Sequence, residues 1–95
     1  MAGYVIADVE VLDAEEYEEY RKLVPATLEP YGGRFIVRGG RAEVLEGTWR
    51  PSRIVVLEFP SVERARAWYE SDAYRGAKVL RQRTSKGSLL LVEGV

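Results

Sequence analysis

The sequence predicts an α+β fold on the ferredoxin-like plan, β-α-β-β-α-β, an antiparallel sheet with its helices on one face. Two observations carry that reading. Stretches rich in β-branched residues, with alternating sides, recur at 4–11, 34–38, 53–59 and 88–93. Between the first and second, and again between the third and fourth, apolar residues return at three- and four-residue steps instead. With 95 residues the chain forms one domain, 1–95, and has no room for a second core.

Tyr4 to Val11 reads as the first strand, with Val5, Ala7, Val9 and Val11 on one face and Tyr4, Ile6, Asp8 and Glu10 on the other. Asp13 and Glu16 then fit a capping box, Asp replacing the usual Ser or Thr. The following helix places Tyr17, Tyr20, Val24, Leu28 and Tyr31 on one stripe. Pro25 lies inside that stripe, lacks an N–H, and is expected to kink the helix or start a second short one.

Next comes "YGGRFIVRGG", in which Gly32-Gly33 ends the helix, Arg34 to Arg38 forms the second strand, and Gly39-Gly40 closes it with a turn or bulge. Ala42 to Leu45 reads as a short extension before a second turn at Glu46-Gly47. Thr48 to Ser52 is a loop, with Trp49 either an anchor onto a second subunit or a lid. Arg53 to Phe59 is the third strand, closed by Pro60. Ser61 caps a helix whose inward residues are Val62, Ala65 and either Trp68 or Tyr69. Ser71-Asp72 is a fresh cap, and Ala73, Ala77, Leu80 and Thr84 then recur at helical spacing. Gly87 is expected to stop that segment, leaving Ser88 to Glu93 as the last strand.

Composition excludes several classes of chemistry. The chain has neither histidine nor cysteine, so a Ser-His-Asp triad, a thiolate nucleophile, a disulfide and an imidazole-held metal are all ruled out. Acid–base work falls to Asp, Glu, Tyr, Lys or Arg. No cofactor and no metal are expected. A formal net charge of −1 provides no field to recruit nucleic acid or an anionic membrane. No apolar run reaches the roughly 20 residues that span a bilayer, and the N-terminus lacks the pattern of a signal peptide, so a cytoplasmic location is expected.

Two motif readings of the glycine-flanked strand fail. A phosphate loop needs Gly-Lys-Ser/Thr opening a helix, whereas "GGRFIVRGG" lies in a strand and lacks both residues. The segment Gly33-Arg34-Phe35-Ile36-Val37 superficially echoes an RNA-binding strand. That mechanism needs aromatic rings on the open sheet face, and Phe35 is expected to face the helices.

Helices can cover only one face of such a sheet. Val5, Ala7, Val9, Phe35 and Val37 are the natural helix-facing residues, which leaves Tyr4, Ile6, Asp8, Arg34, Ile36 and Arg38 outward. In the third strand Arg53, Val55, Leu57 and Phe59 alternate with Ile54, Val56 and Glu58, and alternation alone does not say which set is outward. Either set makes the open face substantially apolar, which soluble monomers rarely show. A homodimer with its sheets face to face resolves this, with Asp8, Arg38 and Glu58 near a shared cavity. Cross-strand ion pairing is the structural alternative for these charges. Tyr69, Tyr74 and Arg81 are candidates for a pocket mouth, with tyrosine as donor or acid, although the helix aromatics are also ordinary core material. Glutamates 15, 16, 18 and 19 crowd the first helix and basic residues mark the second helical region; the two would attract if the helices lie side by side, with solvated faces the alternative.

Tyr17 and Tyr20, "YGGRFIVRGG", "EVLEGTWRPSRIVVLEFPS", "AWYESDAYRGAKVLRQ" and the terminal "LLVEG" together resemble the bacterial domain of unknown function 1330 family, over nearly the whole chain. Trp68-Tyr69 and Ser71-Asp72-Ala73-Tyr74 match the family's aromatic, Ser and Tyr positions. The resemblance implies a dimeric α+β barrel, an architecture also used by small cofactor-free monooxygenases, isomerases and haem-degrading proteins. It implies no established reaction, and the histidine on which haem-binding and several monooxygenase relatives rely is missing. The expectation is a homodimer binding a small anionic or carbonyl-bearing molecule between sheet and helices. In it Arg38 orients the ligand, Asp8 serves as base, and Glu58, Tyr69, Tyr74 and Arg81 line the site. Catalysis of isomerase or cofactor-independent monooxygenase type, and a non-catalytic binding or structural module, both remain open.

Overall fold

The computed structural model describes residues 1–95. The chain runs β1 (Gly3–Val11), α1 (Ala14–Leu28), a 3-10 turn (Glu29–Tyr31), β2 (Arg34–Arg38), β3 (Ile54–Phe59), α2 (Val62–Tyr69), α3 (Asp72–Thr84) and β4 (Ser85–Glu93). The four strands form one antiparallel sheet in the order β2-β3-β1-β4. The expected ferredoxin-like plan is therefore the fold.

Each helix starts where a side chain satisfies an orphan N–H. Asp13, Ser61 and Ser71 accept from the backbone N–H groups of Glu16, Arg64 and Tyr74. Pro25 does not break α1, which stays continuous from Ala14 to Leu28. Gly32 and Gly39 adopt positive φ of 70°, the left-handed conformation expected of the two glycine pairs.

The helix-covered face is built by Val5, Ala7 and Val9 of β1, and by Leu57 and Phe59 of β3, all buried. The register pairs Val5 with Leu57 and Ala7 with Val55, so the question left open for the third strand has an answer. Its odd-numbered residues face the helices, and Ile54, Val56 and Glu58 face outward. Trp68, Tyr74, Ala65 and Ala77 complete the core from the helices.

Three expectations are corrected. Residues 42–45 add no strand. The buried stripe of α3 is Tyr74, Ala77, Arg81 and Thr84; Ala73 is exposed. Gly87 does not end a segment but lies within β4 opposite Val9, where a Cβ would collide with the Asp8 backbone. β4 accordingly begins at Ser85.

The fourth correction matters most. β2 carries a bulge between Phe35 and Val37. Phe35 pairs with Leu57, but Val37 pairs with Val56 and Arg38 with Val55. One extra residue reverses the alternation. Val37 therefore faces outward and Arg38 joins the helix-covered side, the reverse of what strict alternation predicts.

Candidate functional site

Between the helix-covered sheet face and α1 and α3 lies a cavity of about 40 Å³, more than the ~10–15 Å³ that one water requires. Its walls are mostly apolar and include Val5, Ala7, Leu57, Trp68 and Leu89. Polar groups reach it in two sets.

The first set is a hydrogen-bonded chain. The Tyr20 and Tyr74 hydroxyls lie 2.9 Å apart, and Arg81 Nε donates to Tyr74 Oη at 3.2 Å. Tyr74 sits on the helix stripe opened by its Ser71 cap, and Tyr20 comes from the facing side of α1. Burial, followed by the neighbouring Tyr74, pushes the Tyr20 hydroxyl far above the ordinary tyrosine value. Tyr20 thus keeps its proton at neutral pH and can donate but not abstract. One of the two hydroxyl protons joins the pair; the other is free for a ligand.

The second set is three guanidinium groups, from Arg21, Arg38 and Arg53. The bulge turns Arg38 inward, where its guanidinium lies 4.1 Å from the centre of the Phe35 ring and Nη2 donates to the Arg21 carbonyl at 3.0 Å. Arg53 continues the inward alternation of β3 and lies 5.9 Å from the centre of the Tyr17 ring. Arg21 pairs with Glu18 through Nη1 at 2.9 Å. Burial, then the Arg21 and Arg53 charges, lower Arg38 from its ordinary value.

Of the six residues singled out from sequence, Arg38, Tyr74 and Arg81 line this cavity. Asp8 and Glu58 do not. They lie on the opposite, open face, because β1 and β3 alternate without interruption there. Asp8 accepts from the Ser52 N–H and from Trp49 Nε1, each at 2.9 Å. These bonds, the Ser52 one foremost, lower its pKa below the ordinary aspartate value. Glu58 accepts from Arg34 and Tyr4, and the Arg34 bond chiefly lowers its pKa. The expectation that Asp8, Arg38 and Glu58 share one cavity is therefore corrected: the sheet separates Arg38 from the two carboxylates. Tyr69 packs edge-on to Trp68, with the Lys78 ammonium 4.0 Å from its ring centre, beside a groove between α2 and β4.

Tyr20, Arg21 and Arg53 were not among the candidates. Arg53 was findable, since it continues the period of Val55 and Leu57 at the start of the third strand. Arg21 carries no such signal, because it lies at the edge of the helical stripe beside Tyr20.

A family model described as a domain of unknown function (DUF1330) matches residues 2–95. No curated protein matches the chain. Among solved structures, a protein of unknown function from Rhodopseudomonas palustris, in methylated form, superposes with a TM-score of 0.79 at 19% identity, covering 99% of this chain and 81% of that one. A conserved protein of unknown function from Bacteroides thetaiotaomicron, suggested to be an oxidoreductase, gives 0.64 at 15% identity over 98% and 97%. A Nitrosomonas europaea protein whose name suggests an antibiotic biosynthesis monooxygenase gives 0.57 at 14% identity over 99% and 90%. Likeness at these identities speaks for the fold alone.

Proposed function

The chain belongs to the DUF1330 family, and from that premise we propose that it binds a small molecule in the cavity between sheet and helices, and does so as a homodimer. The observation that carries the binding reading is the cavity itself: a mostly apolar chamber whose lining also holds a spare tyrosine proton and four arginines. Small-molecule sites have this composition, apolar walls with a few placed polar groups.

The same residues weigh on catalysis. An isomerase, or an oxygenase working without a cofactor, needs a base beside the substrate. No carboxylate lines this cavity, and Tyr20 is held protonated. Donating a hydrogen bond to a carbonyl oxygen is the chemistry these groups support, so binding is favoured over proton abstraction. Asp8 could act as a base only toward a ligand on the open sheet face.

The test is ligand-observed saturation-transfer NMR with a panel of small carbonyl compounds. Ala7 lines the cavity, so Ala7→Leu should fill it and remove the signals seen with the wild type. Signals that survive this substitution undiminished would place binding elsewhere.

A further inference from the structure

Resting on that cavity reading, we infer that the ligand is a compact organic carboxylate, its charged head held among Arg21, Arg38 and Arg53 and its apolar body directed along the Trp68 wall. The inference starts from an electrostatic imbalance. Four guanidiniums reach one cavity; Arg81 is engaged by the Tyr74 hydroxyl, and the acid paired with any of the four is Glu18, bound to Arg21. Arg38 has no carboxylate partner at all and spends one N–H on a neutral carbonyl. Arg53 makes no ion pair; it lies near the Tyr17 ring and against Gly39, where a Cβ would strike its guanidinium.

The second observation is independent of charge. The Nε atoms of Arg21 and Arg53 are buried without a hydrogen-bond partner. An unmet buried donor costs about 1–3 kcal/mol, and more for a charged group. Two such donors beside one cavity fit a site whose acceptor arrives with the ligand. The planar guanidinium fork matches a carboxylate in two parallel hydrogen bonds.

The rest of the lining argues for an organic acid over inorganic phosphate. Phosphate exposes acceptor oxygens on every side, whereas most of this wall is aliphatic or aromatic and offers it nothing. A carboxylate on a small apolar body puts its charge at the arginines and its carbon skeleton against Trp68 and Leu57. Gly39 has a role here too, because its missing Cβ leaves Arg53 the space it occupies.

The two tryptophans give the experiment its readout. Trp68 lines the cavity and its indole N–H is bonded to Thr27 at 3.0 Å, whereas Trp49 is bonded to Asp8 on the other side of the sheet. Formate, acetate and propionate, and the three matching amides, would be titrated into the full chain while both indole N–H resonances are followed. The expected result is saturable movement of the Trp68 resonance with at least one acid and not its amide, with Trp49 still. Arg53→Gln and Arg38→Gln should each weaken that binding at least tenfold without changing the circular dichroism spectrum. An amide that binds as well as its acid would overturn the carboxylate assignment and leave the cavity reading standing. If neither acids nor amides move Trp68, both fall. Equal competition by inorganic phosphate would reduce the arginines to a general cation patch and also overturn the proposal.

Discussion

Thr27 shows how one polar side chain can hold two helices in register. Its hydroxyl accepts from the Trp68 indole N–H at 3.0 Å and donates to the Val24 carbonyl at 2.7 Å, all within the core. The Trp68 ring is 1% exposed and stacks 4.1 Å, centre to centre, from Tyr74. An indole in that position needs an acceptor, and no other partner serves it. Thr27→Val keeps the shape and deletes the acceptor, leaving a buried N–H unmet. That should destabilise the fold by about 1–3 kcal/mol, read as a lower urea midpoint with an unchanged slope. Thr27→Ser, which keeps the oxygen, should recover most of the loss. Full stability in the valine variant would show that the bond is dispensable.

At the scale of elements, two segments decide what faces what. The bulge in β2 moves Arg38 to the cavity side, and the 39–53 connection returns across the open face to Asp8. The order of elements, the three helix caps, the glycine turns and the alternation of β1 were all legible from residue types, because each is a local rule with a short period. The bulge was not. It is a property of how β2 pairs with β3, and a five-residue strand flanked by glycines carries no side-chain mark of the extra residue. With it went the grouping of Asp8 with Arg38. The stripe read for α3 also slipped by one residue at two places, running through Ala73 and Leu80 where the buried residues are Tyr74 and Arg81. The connection has its own titration. Asp8 has its pKa lowered by the Ser52 and Trp49 bonds, so their stabilising effect is complete above the ordinary value of 3.8 and is lost as pH falls through the lower folded value. The Trp49 indole resonance should hold still from neutrality to about pH 5 and shift in the acid range. In Asp8→Ala that acid step should be gone, and a step that persists would assign it to another group.

At the scale of the molecule, the domain is a slab of 35 × 34 × 17 Å, one sheet and one layer of helices, with no helix on the second sheet face. That face is polar at its margins and apolar in its middle. Its charges are matched on the face itself: Arg34 with Glu58 at 2.6 Å, Lys86 with Glu10 at 3.6 Å, and Asp8 with Trp49 and Ser52. What remains unmatched is apolar and includes Ile6, Val37, Ile54, Val56, Leu90 and Val92, with Leu90 60% exposed. In the proposed homodimer a second copy presents the same face across a two-fold axis. The proposed homodimer therefore predicts a sedimenting mass of twice 10.7 kDa at micromolar concentration. Leu90→Asp should give the monomer with its circular dichroism spectrum intact, since the side chain is absent from the buried core. The two faces of the sheet are also independent in this arrangement, so the monomeric variant should keep its cavity and the Trp68 response to ligand. A wild-type chain that sediments at 10.7 kDa would sink the dimer and leave the cavity untouched.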